Sequence, residues 1–158
     1  MDHQHENYMQ SAVELARHGM NSGTGGPFGC VIVKNGEVIA RGMNAVTSTN
    51  DPTAHAEVVA IRNACLALGT HQLTGCELYT SCEPCPMCLG AIYWARPDKV
   101  YYGCTRNDAA EAGFDDDFIY SQLACDMQDR TIPMESLGRS GSLVVFDEWK
   151  QKQDKKPY

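Results

Sequence analysis

No apolar run in the sequence approaches the roughly 18 residues that a membrane-spanning helix needs, so we expect no membrane partner. The first ten residues, MDHQHENYMQ, are polar and acidic, unlike a secretory signal. The chain also lacks the character of a disulfide scaffold, which is typically secreted and shorter than about 80 residues. Its eight cysteines are largely scattered among apolar or small neighbours, which is typical of a reducing compartment. We therefore expect a cytoplasmic protein.

Basic residues are scarce as well. Lys and Arg number 13 against 20 Asp and Glu, which gives a formal net charge of −7. Proteins that bind nucleic acids usually carry a basic stripe, because phosphate contacts supply most of their affinity. The only basic cluster here is the segment KQKQDKK, which is typical of a solvated chain end. Nucleic acid is therefore not an expected partner, and a small molecule is favoured.

The chain contains no repeats, low-complexity segments or linkers, so a single domain over residues 1–158 is predicted. Two β-branched runs flank Asn35-Gly36, the strongest short signal for a β-hairpin. Apolar periodicity and start and stop signals predict the other elements. These are helices over 8–20, 53–68, 84–95, 118–128 and 143–155, and strands over 76–81, 99–104 and 131–135. Their order predicts an α/β fold, a three-layer α/β/α sandwich with a mixed central sheet, with reactive groups where strand ends meet helix starts.

Three cysteines in SCEPCPMC lie three residues apart, at Cys82, Cys85 and Cys88. Pro84 and Pro86 indicate a helix start, so Cys85 and Cys88 are predicted to lie one turn apart on the same face. Free N–H groups and the helix dipole lower thiol pKa at such a start, which favours two thiolates and half of a zinc site. Cys82 precedes the helix and need not face the same way. An iron–sulfur cluster is the alternative, but it usually needs four cysteines, and no fourth follows nearby.

His55 is the best further ligand among the five histidines, because the other four lie in polar, surface-like contexts. Two cysteines and one histidine make three protein ligands, the number typical of a catalytic zinc with an open fourth position. Glu57 follows two residues later, and an acid beside a zinc-activated water can move protons. Its alternative role is to stabilise a helix start through the dipole. Because residues two apart on a regular helix point in nearly opposite directions, His55 is predicted to lie in an irregular first turn.

Residues 55–57 and 84–88 match the H-x-E and P-C-x-x-C signature of zinc-dependent nucleobase deaminases. The chain resembles the cytidine deaminase-like superfamily and, within it, the bacterial guanine deaminases, through GGPFG, NDPTAHAE, YTSCEPCPMCLGAIYWARP and DAAEAGFDD. The resemblance implies one Zn²⁺ per chain, a purine substrate, and hydrolysis of guanine to xanthine and ammonia with Glu57 as the proton shuttle. Residues 134–150 depart from the pattern of the family.

Other functions share the zinc motif. Cytosine, guanosine and tRNA adenosine deaminases remain alternatives, although the acidic charge disfavours a tRNA substrate. The non-enzymatic alternative is a structural zinc module, in which Cys82 closes a Cys₃His site around His55, Cys85 and Cys88.

The resemblance also implies a purine pocket. Asn44 offers an amide to a purine edge, with turn formation as its alternative role. Phe28 stacks on the base or packs in the core. Asp116 meets the amino and imino hydrogens of guanine and takes part in proton transfer, with Asp115 and Asp117 as alternatives.

Backbone groups and the chain end complete the implied site. N–H groups around Ala56, Glu83 and Cys85 are predicted to orient the base and the water. The segment KKPY, residues 155–158, is predicted to form a lid in which Tyr158 covers the base; a frayed end is the alternative. The superfamily usually forms homo-oligomers, so a homodimer is expected, with the lid acting on its own subunit or, through exchange of the C-terminal segment, on the partner.

Overall fold

A four-stranded mixed sheet forms the centre of the first of two compact units, which ends at Ile119. The structure is a computed structural model that describes residues 3–158. The strands are β1 (Gly29–Lys34), β2 (Glu37–Met43), β3 (Cys76–Cys82) and β4 (Lys99–Cys104), in the order β2-β1-β3-β4. β1 is antiparallel to both β2 and β3, whereas β3 and β4 are parallel. The predicted mixed sheet is confirmed.

Helices cover both faces of this sheet. They are α1 (His3–Asn21) on one face and α3 (Ala56–Leu68) and α4 (Pro86–Ala95) on the other. The chain also contains the shorter helices α2 (Val46–Thr49), α5 (Arg106–Glu111) and α6 (Asp116–Ala124). Side chains alternate along β1, so that Val31 and Val33 pack with α1 while Cys30 and Ile32 pack with α3 and α4. These two cores make the predicted three-layer α/β/α sandwich.

Two local features explain how α3 approaches the sheet. Asn35 and Gly36 have φ values of 51° and 80°, as the predicted hairpin turn between β1 and β2 requires. Gly42 then has no room for a side chain, because a Cβ there would collide with the backbone of Ala56 and Ala60. The start of α3 therefore packs directly against β2.

Two of the predicted helices begin later than expected. α3 begins at Ala56 rather than at residue 53, and α4 begins at Pro86. The interpretation of Pro84 as the first helical residue is wrong, because Pro86 occupies that position and Cys85 is the N-cap. Proline suits this position because the first N–H of a helix has no partner within the helix.

The second compact unit comprises residues 120–158. It contains a 3₁₀ helix, Met127–Asp129, and α7, Arg139–Gln151, which confirms the closing helix with shifted bounds. The predicted strand over 131–135 is wrong, because these residues form no strand. Pro133 cannot donate to a ladder, and Thr131 donates instead through N and Oγ1 to Oε1 of Gln122. Among residues 3–158, no helix combines the length and apolar character needed to cross a bilayer.

Candidate active site

The starts of α3 and α4 lie side by side. His55 is the N-cap of α3, with φ −71° and ψ 155°, and Cys85 is the N-cap of α4, with φ −65° and ψ 167°. Both backbones are extended, so both side chains leave the chain just before a regular helix begins. His55 can therefore share a site with Glu57 in the first turn of α3, and the prediction that His55 lies outside the regular helix is confirmed.

Three side chains offer ligand atoms to one metal ion. One ligand atom each from His55, Cys85 and Cys88 lie within 4.8 Å of one another. Nδ1 of His55 is 3.5 Å from Sγ of Cys85, which also accepts a hydrogen bond of 3.5 Å from the backbone N of Cys88. Thiolates and an imidazole are preferred zinc ligands, and three of them leave the fourth position of a tetrahedral site open. The residues present therefore fit zinc.

Hydrogen bonds within this group shift its titration. The contact with Cys88 lowers the pKa of the Cys85 thiol, against the opposing effect of burial, and His55 lowers that pKa further. The hydrogen bond with Cys85 in turn raises the pKa of His55. These interactions favour a thiolate at Cys85, which is the form of cysteine that binds metals.

Cys82 is not part of this group among residues 3–158. Its Sγ donates to the carbonyl oxygen of Thr105 at 3.6 Å. Burial raises the pKa of Cys82 to about 12, and the neighbouring thiol of Cys104 and nearby carboxylates make smaller contributions. The geometry therefore favours an open Cys₂His site over a closed Cys₃His site.

Glu57 is a buried carboxylate beside the ligand group. The residue is only 5% exposed, and its Oε1 accepts a hydrogen bond of 2.8 Å from Oγ1 of Thr80. Burial raises the pKa of Glu57, and hydrogen bonds donated to the carboxylate, including that of Thr80, oppose this shift. A carboxyl group whose pKa is raised towards the working pH is suited to general acid–base catalysis.

A cavity of about 470 Å³ adjoins these groups. Its volume is in the range of small-molecule sites, about 300–1,000 Å³. All of its lining residues belong to the first compact unit. They are Gly25, Gly26, Phe28, Asn44, Val46, Thr47, His55, Glu57, Glu83, Cys85, Phe114 and Asp116.

Asn44 is held by the backbone around it. Its Oδ1 accepts hydrogen bonds from the N–H groups of Gly26 at 3.3 Å and Val46 at 3.2 Å. Gly25 approaches so closely that a Cβ there would collide with Asn44. Because Oδ1 is occupied, the group that Asn44 can offer to a ligand is its NH₂ donor. Asn44 therefore has the predicted turn role and also lines the cavity, and its contact with a base stays a prediction.

Aromatic and acidic side chains form other parts of the wall. The rings of Phe28 and Phe114 meet edge to face, with centroids 4.7 Å apart and an interplanar angle of 78°. Asp116 alone of the acidic triplet lines the cavity, whereas Asp115 and Asp117 are exposed. Burial raises the pKa of Asp116. The cavity thus offers an aromatic face, an amide donor and a carboxylate.

Three of the expected contacts with a base are not seen in the structure. Ala56 is fully buried and does not line the cavity, so its role in orienting a base stays a prediction. The N–H of Glu83 donates to the carbonyl oxygen of Cys104 at 2.8 Å, so the expectation that it orients a base is wrong. Tyr158 belongs to the second unit and is 71% exposed, and its lid role stays a prediction.

Sequence reasoning missed three side chains near the reacting groups. Glu83 lines the cavity, and its Oε2 accepts a hydrogen bond from the backbone N of Arg106 at 2.9 Å. Phe114 could have been suspected, because it is the aromatic residue just before the acidic triplet. Thr80 carried a subtler signal, since it is a polar residue at an inward position of the strand CELYTSC.

Comparison with known proteins identifies the family. A family profile described as the cytidine and deoxycytidylate deaminase zinc-binding region matches residues 2–104. A guanine deaminase from Bacillus subtilis (strain 168) is 57% identical over 154 residues, which cover 98% of this chain and 99% of that protein. This chain belongs to the guanine deaminase family. The resemblance inferred from the sequence motifs is confirmed.

One solved structure and one further relative show how far the family likeness extends. The X-ray structure of guanine deaminase from Bacillus subtilis has a TM-score of 0.95 and 56% identity, covering 100% of this chain and 99% of that chain. A tRNA-specific adenosine deaminase from Agrobacterium fabrum is 46% identical over 101 residues, 63% of this chain and 64% of that protein. This member of the guanine deaminase family is thus a zinc-dependent deaminase, and its zinc cofactor is supported by both the matched region and the His55, Cys85 and Cys88 group.

Proposed function

We propose that this chain hydrolyses guanine to xanthine and ammonia. The observation that carries the proposal is that the buried carboxylate of Glu57 and the ligands His55 and Cys85 line one cavity. The cavity, at about 470 Å³, is large enough for a purine base. The match to a guanine deaminase over 98% of the chain supports guanine as the substrate.

A metal ion and the carboxylate of Glu57 carry out the main steps of the reaction. His55, Cys85 and Cys88 would hold the zinc ion, which when bound supplies Lewis-acid activation of a water molecule. Glu57 accepts a proton from the attacking water while the oxygen of that water bonds to the ring carbon that carries the amine. Glu57 passes this proton to the ring nitrogen, then takes the second proton from the hydroxyl group now bonded to the ring carbon and gives it to the amine, so that a C=O bond forms as the C–N bond breaks and ammonia leaves. Burial of Glu57 keeps bulk water away from these transfers.

The cavity wall recognises the base through complementary groups. The NH₂ group of Asn44 donates to an acceptor on the purine edge, because its Oδ1 is already occupied. The carboxylate of Asp116 accepts from the amino and imino hydrogens of guanine and takes part in proton transfer. Phe28 stacks on the base, and the edge of Phe114 supports its ring.

An ammonia-release assay tests this proposal. The zinc-loaded protein is given guanine, guanosine, adenine, cytosine, ammeline and tRNA in separate reactions, and guanine is expected to give the highest kcat/KM. Equal or faster release from guanosine would favour a nucleoside substrate. Release from adenosine in tRNA but not from guanine would favour the tRNA alternative. The absence of release from every substrate would support a structural zinc module.

Replacing Asp116 with asparagine is expected to lower kcat/KM for guanine by about 10- to 100-fold, the value of a hydrogen bond to a charged group. The physical reason is that an amide N–H would face a hydrogen of guanine where an acceptor is needed. Steady-state kinetics and zinc content per chain check the prediction, and zinc content should not change. Asp117→Asn is the matched control, because Asp117 is exposed. A loss confined to variants of Asp115 or Asp117 would assign the contact to that residue instead.

We also propose a homodimer that exchanges C-terminal segments. In the first unit, Tyr93 and Trp94 of α4 are exposed and β4 forms an edge of the sheet. In the second unit, α7 exposes five large apolar residues: Leu143, Val144, Val145, Phe146 and Trp149. Large exposed apolar groups are typical of interfaces, and edge strands are usually covered. Light scattering should give the mass of two chains.

The eight free thiols support a reducing, cytoplasmic location.

Deleting residues 155–158 is expected to leave fold and zinc content intact but to lower guanine turnover by about tenfold or more, because Tyr158 would no longer cover the base. Tyr158→Ala should reproduce most of the loss, whereas Lys156→Ala should not. If the lid acts on the partner, mixing the truncated subunit with an inactive Glu57→Gln subunit should restore some activity, because one hybrid site regains both parts. A truncated enzyme with wild-type kinetics would exclude the lid.

A further inference from the structure

Thr80 is a buried polar residue at the centre of the sheet, to which the mechanism above assigns no role. It has 0% exposure. Its backbone pairs with Cys30 of β1 on one side and with Tyr102 of β4 on the other. The side chain of a β-branched residue is stiff. The position of the Thr80 side chain is therefore fixed by its paired backbone and its stiff rotamer.

The hydroxyl of Thr80 is hydrogen-bonded to a reactive side chain. Oγ1 donates to Oε1 of Glu57 at 2.8 Å, between residues 23 apart in the sequence. Leu78, two residues earlier on the same strand, belongs to the apolar core. Valine at position 80 would fill nearly the same space without the cost of burying a hydroxyl. Packing alone therefore does not account for the threonine.

Asn44 provides a useful comparison. Among residues 3–158, the buried polar or charged side chains are Asn44, Glu57 and Thr80. Asn44 accepts from two backbone N–H groups, so loop structure accounts for its burial. Thr80 instead contacts the side chain that carries out the proposed proton transfers, and it does not itself line the cavity.

We infer that Thr80 is a positioning residue for proton transfer: its hydroxyl, through the hydrogen bond to Oε1, holds the carboxylate of Glu57 in the orientation from which it exchanges protons. This inference rests on the proposed function, in which Glu57 moves those protons. A glutamate side chain has three rotatable bonds, and a hydrogen bond from a rigid strand restricts the orientation of its carboxylate. Loss of that restraint lowers the fraction of productive geometries, and small misplacements of reacting groups are costly. Loss of the Thr80 hydroxyl should not change binding of the base, because Thr80 does not line the cavity.

Kinetics of position 80 variants of the zinc-loaded full chain test this inference. Thr80→Val keeps the shape but removes the hydroxyl, and we expect kcat for guanine to fall about 10- to 100-fold. KM should stay within about twofold, since binding is not changed. Thr80→Ser keeps the hydroxyl and should recover most of kcat. Zinc content should be equal in all of these proteins.

Two controls separate the hydroxyl from the packing. Ser81→Ala removes another hydroxyl of the same strand, one that accepts a hydrogen bond from the backbone N of Gly29 at 3.1 Å. The kcat of this variant should stay close to the wild-type value. If Thr80→Val folds poorly, Thr80→Ala is compared with Thr80→Ser, because these two also differ only in the hydroxyl. A hydroxyl-free variant with kcat within about threefold of its hydroxyl-bearing partner would overturn the inference.

Thermal unfolding provides a readout that does not depend on activity. We expect the Tm losses of Thr80→Val and Glu57→Ala to sum to more than the loss of the double variant, because either change alone breaks the same hydrogen bond. Strictly additive losses would overturn the contact. A wild-type protein that does not deaminate guanine would instead reject the proposed function, and the melts would still test the contact.

Discussion

Replacing Glu57 with glutamine is expected to lower guanine turnover by about 10²- to 10⁴-fold, the usual contribution of a general acid–base group. Glutamine keeps the shape and can still accept a hydrogen bond from Thr80, but it cannot take a proton from water or return one to the amine. Zinc content should not change, because Glu57 is not a member of the ligand group. Ammonia release and metal analysis of the purified variant check both parts of the prediction.

A matched control for this variant is Glu77→Gln, in β3. Glu77 accepts a hydrogen bond from Tyr79 at 2.7 Å and does not line the cavity. We expect this variant to keep kcat near the wild-type value. Near-normal ammonia release from Glu57→Gln would exclude Glu57 as the shuttle and would leave Asp116 as the remaining carboxylate of the predicted relay.

Replacing any one of His55, Cys85 or Cys88 with alanine is expected to lower bound zinc well below one ion per chain and to abolish turnover. Each change removes one of the three ligand atoms that lie within 4.8 Å of one another. Because a zinc site of three protein ligands depends on every one of them, the loss should exceed that of any substrate-contact variant. Zinc analysis after dialysis, together with ammonia release, measures both effects.

Cys82→Ala is the matched control for the ligand variants, since Cys82 belongs to the same cysteine run but donates to Thr105 instead. It should keep zinc near one ion per chain. A zinc-free Cys82→Ala protein would contradict the open Cys₂His site and restore the closed Cys₃His alternative. Such a site would hold no exchangeable water and would make Glu57 dispensable.

Features encoded by neighbouring residues could be predicted from the sequence. The Asn35-Gly36 turn needs two residues with positive φ, and both have it. The pair Cys85 and Cys88 lies at a helix start because proline ends the extended segment there, although Pro86 rather than Pro84 opens the helix. The position of His55 outside the regular helix also followed, because one site could not otherwise include Glu57.

Features that depend on distant partners could not be predicted in this way. The strand expected over 131–135 has a suitable composition, but a strand forms only where its N–H and C=O groups find a ladder. Which member of the acidic triplet meets the cavity depends on the rotation of α6, and a shift of one residue turns a side chain by about 100°. The structure selects Asp116.

The family, the residue types of the predicted zinc ligands and the acid beside them could be inferred from the sequence alone. Within each motif, local backbone geometry converts a short spacing into proximity, whereas packing brings His55 to within 3.5 Å of Cys85. The way in which the acid is held and the groups that the cavity presents to a base depend on packing as well. The bond from Thr80 to Glu57 and the occupied oxygen of Asn44 arise from chain segments that meet only when the sheet and its helices pack.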